Sequence, residues 1–378
     1  MKVVVVGAGV FGAWAAKFLR DAGHRVTLLD AYGAANGRAS SADHSRVIRS
    51  GYGADEIYSQ WAARAWDDWS WLSQAVGDQL VVRTGALFMG PAESAYIRES
   101  YAMLTRLGLA AEWLEPADVQ RRYPQIDLGG LGSSILERDA GVIFARAAVR
   151  ALVNLLRKGG VDYRIDRIAP LDEQSTTCVV RAEGGAVYEA DAYVFASGPW
   201  LPTLFPQAVG GRIRPTRQEV LYFGVPGGST RFSVPQLPVW IDFPAGLYGI
   251  PDVEGHGFKV GIDRHGPLVD PETLDRIVAE NVVSSTRSWL ATRFPGLRDA
   301  PLVEARVCQY ENTASGDFII DRHPMWPHVW IAGGGSGHGF KHGPSIGRHV
   351  AALVDGHAKA MPRFSLAARS ETFARAVF

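Results

Sequence analysis

The chain has 378 residues, 47% of them hydrophobic and 21% charged. That is the balance of a globular protein with room for about two cores of roughly 100–200 residues each. Lysine plus arginine and aspartate plus glutamate both total 39, and this zero formal charge argues against a nucleic-acid surface or an acidic disordered tail.

The first element is a β-branched run, KVVVV at 2–6, which reads as a buried parallel strand. Its charged start and apolar run also imitate a signal peptide, but the glycines that follow fit a nucleotide-binding turn better. Gly7, Gly9 and Gly12 fall as GxGxxG, with Val10 and Phe11 inside the motif. Gly7 permits a tight turn, Gly9 lets backbone approach a pyrophosphate, and Gly12 lets a helix pack close to the strand. The helix AWAAKFLRDAG follows, with Gly23 as its C-cap, and its N-terminus offers N–H groups and positive dipole to phosphates. The second strand, HRVTLLD, ends on Asp30, about 20 residues on, where an acid accepts a ribose hydroxyl. That acid favours FAD or NAD over NADP.

An NAD enzyme would continue with alternating strands and helices. Here a polar segment follows instead, GRASSADHSRVIRSGYG at 37–53. Arg46 and Arg49 sit three apart, so one helical turn puts both on one side. Either an arginine clamps a ligand carboxylate bidentately, or both are surface arginines of a solvated loop. The next helix carries Tyr58, Trp61, Ala65, Trp69 and Leu72 at core spacing. VVRTGALFMG reads as a strand pair, and PADVQRRYP as a helix opened by proline. A helix and strand at 143–167 and the strand ADAYVFASGPW at 190–200 return to the nucleotide pattern. Between 215 and 300 come four strand-like runs and a helix, ETLDRIVAENVVSSTRSWLATRF. The two cysteines, Cys178 and Cys308, form no disulfide framework and no CxxC metal pair, and a reducing cytoplasm is the expected compartment. No metal site is expected. No apolar run approaches the roughly 20 residues that span a bilayer.

Four motifs in order carry a family resemblance: GAGVFG (7–12), HSRVIRSGYG (44–53), YGIP with GFKVG (248–261), and VCQYENTASGDFIIDRHP with GGGSGHGFK (307–341). Over essentially its whole length the chain resembles the monomeric sarcosine oxidase and N-methyltryptophan oxidase group of the D-amino-acid-oxidase-like flavoproteins. The resemblance implies an α/β (α+β overall) fold with a Rossmann-type FAD-binding domain interleaved with a mixed-sheet substrate domain. The expected boundaries are 1–80, 141–214 and 301–378 for the FAD-binding domain, and 81–140 and 215–300 for the substrate domain.

The resemblance also implies roles. Cys308 sits where these enzymes form an 8α-S-cysteinyl bond to the flavin. Lys259 matches a lysine near flavin N5 that activates oxygen, because a fixed ammonium stabilises the charge of nascent superoxide. Arg49 and Lys341 match the pair that binds the substrate carboxylate, and Tyr248 and Tyr310 match pocket-wall tyrosines. The helix opened by Pro344 would direct its dipole at the flavin pyrimidine edge. Ser41, Arg46, Ser197, Gly198, Trp200, Gly335, Gly337, His338 and Gly339 complete the expected cofactor contacts. Trp240 and Asp263 are substrate-side candidates. Asp263 stands where the sarcosine-oxidising members carry histidine, and position 42 is Ala42 where a loop histidine belongs, with His44 shifted toward Arg46. Both departures put sarcosine itself in doubt. The expected reaction is oxidation of the C–N bond of an amino acid, a secondary N-alkyl or cyclic amine, with O2 reduced to H2O2. The implied partners are that small molecule and O2, with no nucleic acid, no membrane and a monomeric chain. The competing readings are a flavin dehydrogenase that uses a quinone or protein acceptor, and a non-catalytic FAD-binding subunit.

Overall fold

A computed structural model describes residues 1–368; residues 369–378, the tail of the expected FAD-binding segment, lie outside the described residues. Two large sheets organise the chain. The first has six strands in the order Ile319–Arg322, Val329–Gly333, Ala192–Phe195, Lys2–Val6, Arg25–Asp30 and Asp162–Ile165. All pair in parallel except Ile319–Arg322. Val3 to Val6 are buried, as a central strand covered on both faces requires.

The helix Val10–Asp21 packs against Gly343–Val354 on this sheet. Their approach depends on Gly347: a Cβ there would stand 2.5 Å from the Trp14 carbonyl carbon and 2.7 Å from the Ala15 nitrogen. Tyr58, Ala65, Trp69 and Leu72 of the helix Glu56–Val76 join the same core, as their spacing predicts, while Trp61 is only partly buried against it.

The second sheet has eight strands in the order Leu302–Asn312, Arg214–Phe223, Phe258–Ile262, Leu247–Ile250, Val239–Asp242, Ala86–Gly90, Ser133–Glu137 and Ala111–Leu114. Leu302–Asn312 pairs along nearly all of Arg214–Phe223, with Cys308 opposite Gln218 and Tyr310 opposite Thr216. Residues 302–312, which the sequence reading places in the FAD-binding segment from 301, therefore belong to the second sheet. The chain rejoins the first sheet at Ile319. Among the described residues no helix is long and apolar enough to cross a membrane.

Three further sequence expectations change. Val81–Arg83 and Ala86–Gly90 do not pair with each other. The first joins a three-stranded sheet beside Gly141–Ile143, and the second joins the eight-stranded sheet. The cause is the turn between them, where the Thr84 and Gly85 N–H groups both donate to Ala140 O, at 3.2 and 2.9 Å. The second change is the long helix, which begins only at Glu280. Upstream, Arg217 donates to Asp275 O at 2.7 Å and Ile277 O at 2.6 Å, taking carbonyls that a helix would use. The third is the arginine pair. Arg46–Ile48 is a short strand, not a helical turn, so Arg46 and Arg49 point to different surroundings.

Gly347→Ala should separate the two helices, since the obstructing atoms are backbone. The expected loss is about 2 kcal/mol in urea denaturation, with a neutral result only if the helices are free to slide apart.

Candidate active site

A cleft opens at the carboxyl ends of Lys2–Val6 and Ala192–Phe195, where open parallel sheets place their ligands. Gly7, Gly9, Val10 and Phe11 form its floor. Gly7 has φ +106°, and a Cβ there would lie 2.4 Å from Ala196 O. Only glycine turns the strand into the helix at this point. The helix Val10–Asp21 has neither a side-chain cap nor an acid in its first turn, which leaves its N-terminus available to an anion.

Asp30, Tyr32, Trp200 and Glu272 line one end of the cleft. Asp30 accepts the Ala8 N–H at 2.8 Å and the Tyr32 N–H at 3.0 Å, and burial raises its pKa. Glu272 takes the Tyr32 hydroxyl at 2.8 Å, Arg167 at 2.7 Å and the Trp200 indole N–H. Ser41, Arg46, Ser197 and Gly198 line the middle; Tyr310, Glu311, Gly335, Gly337 and Gly339 line the far end. Gly12, Cys308, His338 and Lys341 stand outside the lining. Cys308 is close to it: its Sγ is 3.5 Å from Arg46 Nη2 and 3.8 Å from Ser40 O.

Lys259 is 1% exposed. Its ammonium donates to Asp43 Oδ2 and to Ser45 O, both at 2.6 Å. Burial, opposed by Asp43, brings its pKa down to about 8. Asp43 also receives Arg46 and, at 2.7 Å, the Tyr222 hydroxyl. Burial disfavours the Asp43 carboxylate, but the Lys259 and Arg46 charges hold its pKa well below the usual carboxylate range.

Arg49 and Lys341 meet around Tyr52. The Arg49 guanidinium lies 4.7 Å from the Tyr52 ring centroid, and Lys341 Nζ lies 5.1 Å from it. Lys341 also donates to the Tyr52 hydroxyl at 2.6 Å and to His338 O at 3.0 Å. Arg49 donates to Gly51 O. Its loop is fixed from the second sheet by Glu137, which accepts the Ser50 N–H at 2.6 Å and the Gly51 N–H at 3.0 Å.

Tyr310 donates to Asp263 Oδ1 at 2.8 Å, and burial followed by that carboxylate pushes its pKa well above 10. Tyr248 is held high by burial as well. Its ring centroid is 5.9 Å from Lys259 Nζ. Trp240, read from sequence as substrate-side, is placed elsewhere: it is fully buried, stacked on Phe258 and Trp289 in the core of the second sheet. An alternating strand puts Trp240 on the face away from the cleft.

The sequence reading missed Asp43, Glu137, Glu272 and Glu311. Asp43 had one available signal, an acid three residues before Arg46. Glu311 lines the cleft next to Tyr310 and receives the Gly334 N–H at 3.3 Å. Glu137 reaches from the second sheet to Ser50 and Gly51, and Glu272 reaches Tyr32 and Trp200 from the segment after Phe258–Ile262, contacts that short-range pattern cannot register.

Residues 2–353 match the family model DAO, FAD dependent oxidoreductase. The chain belongs to this family and is an FAD-dependent oxidoreductase. It is 29% identical to the peroxisomal sarcosine oxidase of Homo sapiens over 372 residues, covering 96% of this chain and 94% of the relative. It is likewise 29% identical to the monomeric sarcosine oxidase of Bacillus sp. (strain B-0618), covering 93% and 91%. A crystal structure of a thermally stable fructosyl peptide oxidase mutant superposes with TM-score 0.85 at 20% identity, covering 98% of this chain and 94% of that one. The cleft fits FAD on its own evidence, with an open helix N-terminus at a glycine turn for the phosphates, Asp30 at one end and a glycine-rich wall at the other.

Glu137 and Glu311 are both raised by burial to about 7, against 4.5 in an open chain. Between those values the folded state keeps protons that the unfolded state has lost, so this contribution to stability falls as pH rises through the window. Urea denaturation across it should give a flatter profile for the Glu137→Gln, Glu311→Gln double variant than for wild type. Identical slopes would mean that neither carboxyl is perturbed.

Proposed function

We propose that the chain oxidises the C–N bond of an amino acid carrying a secondary amine, N-alkyl or cyclic. The observation that carries this reading is the convergence of two buried cations, Arg49 and Lys341, from distant parts of the sequence on the one residue Tyr52. Two cations in a dry site suit one carboxylate. The guanidinium offers a planar fork and the ammonium a point charge. Fixing the carboxylate leaves the amine to be positioned by the tyrosine wall, where desolvation favours its neutral form. Bound FAD would supply the two-electron acceptor. Asp263, linked to Tyr310, places an acid at this wall, which suits a larger or more cationic substrate than sarcosine.

In this reading Cys308 is the covalent attachment point for FAD, and Lys259 faces oxygen, which is reduced to hydrogen peroxide. Cys178 and Cys308 are not joined in a disulfide, in keeping with a reducing cytoplasm. A second reading, a dehydrogenase with an acceptor other than oxygen, is favoured by the pairing of Lys259 with Asp43.

Two experiments test the proposal. Arg49→Met and Lys341→Met should each raise KM for an N-alkyl amino acid about 10- to 100-fold, with little change for the corresponding amine lacking a carboxylate. Equal effects on both compounds would remove these residues from carboxylate binding. Acid precipitation of the wild-type protein should leave its flavin in the pellet, and Cys308→Ser should release it to the supernatant. Release from wild type would sink the covalent assignment.

A further inference from the structure

Asp43 is a buried carboxylate, 4% exposed, that the reaction above does not require. Its Oδ2 is 2.6 Å from Lys259 Nζ and also receives Arg46. Its Oδ1 takes the Tyr222 hydroxyl and the His44 N–H, each at 2.7 Å. Arg46 lines the cleft. One anion and two cations therefore form a single buried cluster at the cleft wall. Without Asp43 that wall would carry two positive charges; with it the wall carries one. Of the next charges outward, Arg146, Arg306 and Glu304 are partly exposed and act through solvent screening, and Asp263, buried against Tyr310, is common to wild type and every Asp43 variant. Lys259 and Asp43 are both buried, so a change of charge at Asp43 is felt strongly at the lysine.

We infer that Asp43 weakens the stabilisation of anions at the reacting edge of the cofactor, and so slows the reaction of the reduced cofactor with dioxygen relative to the same site without it. The inference rests on the proposed function, in which the flavin fills the cleft and Lys259 faces that edge. The first electron to dioxygen creates a small anion beside the lysine. The ammonium is already engaged by a carboxylate at 2.6 Å and a carbonyl at 2.6 Å. An acceptor that places no small anion there, such as a quinone or a redox protein, is affected less. Asp43 is thus a positioning residue. It acts through Lys259 and not on the substrate.

The test uses the purified full-length holoenzyme and sulfite, which adds to an oxidised flavin as an anionic adduct and bleaches its yellow absorbance. Asp43→Asn should bind sulfite at least about tenfold more tightly than wild type. Its flavin, photoreduced without substrate, should be reoxidised by air faster by a similar factor. The double variant Asp43→Asn, Lys259→Met restores the original net charge and should return sulfite affinity to within about threefold of wild type. Lys259→Met alone removes a cation and should bind sulfite at least about tenfold more weakly. If Asp43→Asn does not fold, the comparison of the double variant with Lys259→Met carries the test. Equal or weaker sulfite binding in Asp43→Asn at unchanged flavin content overturns the inference and leaves the proposed function standing. So does a double variant that binds sulfite no more tightly than Lys259→Met. A wild-type chain that holds no flavin and takes none up overturns the functional reading, and the inference with it.

Discussion

The loop from Asp43 to Gly51 is tied to the second sheet at both ends by a buried carboxylate. At one end Asp43 joins Lys259 and Tyr222, which lie on Phe258–Ile262 and Arg214–Phe223. At the other end Glu137 of Ser133–Glu137 accepts the Ser50 and Gly51 N–H groups. The loop carries both arginines of the site, so their placement depends on these two acids. The halves of the chain are held in register by polar contacts made in a dry interior, where a missing partner is costly. Such contacts specify geometry more strongly than they add stability.

The two acids also differ in charge state for a physical reason. Both are buried, and burial favours the neutral form of each. Asp43 has two cations in direct contact, and their charges outweigh the cost of leaving water. Glu137 is held chiefly by two backbone N–H groups, with the Arg49 charge a smaller influence, and its pKa rises to about 7. One fold thus keeps a firmly ionised carboxylate and a near-neutral one on either side of Arg46 and Arg49. The same contrast separates Asp43 from Glu311, which is flanked by backbone amides and also rises to about 7.

Much of the nucleotide half was legible because its signals are local. GxGxxG needs a strand before it and a helix after it, and Asp30 needs only its spacing. The strands of the second sheet could be read individually from alternation, but not their order, since pairing partners lie far apart in the chain. A cofactor role for Cys308 was expected only through family resemblance, and its place beside Arg46 was not expected at all. Where local reading failed, a group distant in the chain had intervened. Arg217 took the carbonyls of Asp275 and Ile277, and a helix-like stretch became an extended strap. The strap then presents Glu272 to Tyr32, Arg167 and Trp200 across the cleft. Trp240 was misplaced for a similar reason: aromatic content does not reveal which face of a strand is the core face.

The arrangement around Tyr52 bears on how a carboxylate would be recognised. Arg49 and Lys341 carry like charges near one ring, and their repulsion is offset by the ring face and by oxygen acceptors. Arg49 spends one bond on Gly51 O, and Lys341 spends bonds on the Tyr52 hydroxyl and His338 O. A carboxylate entering here would add a full negative charge opposite both cations, where these bonds use neutral oxygens. Lys259 is in the opposite position, with a carboxylate already in contact. Under the proposed function, a substrate carboxylate would therefore find the cations of this chain unequal. It would meet Arg49 and Lys341 bonded to neutral oxygens, and Lys259 and Arg46 with Asp43 already in contact.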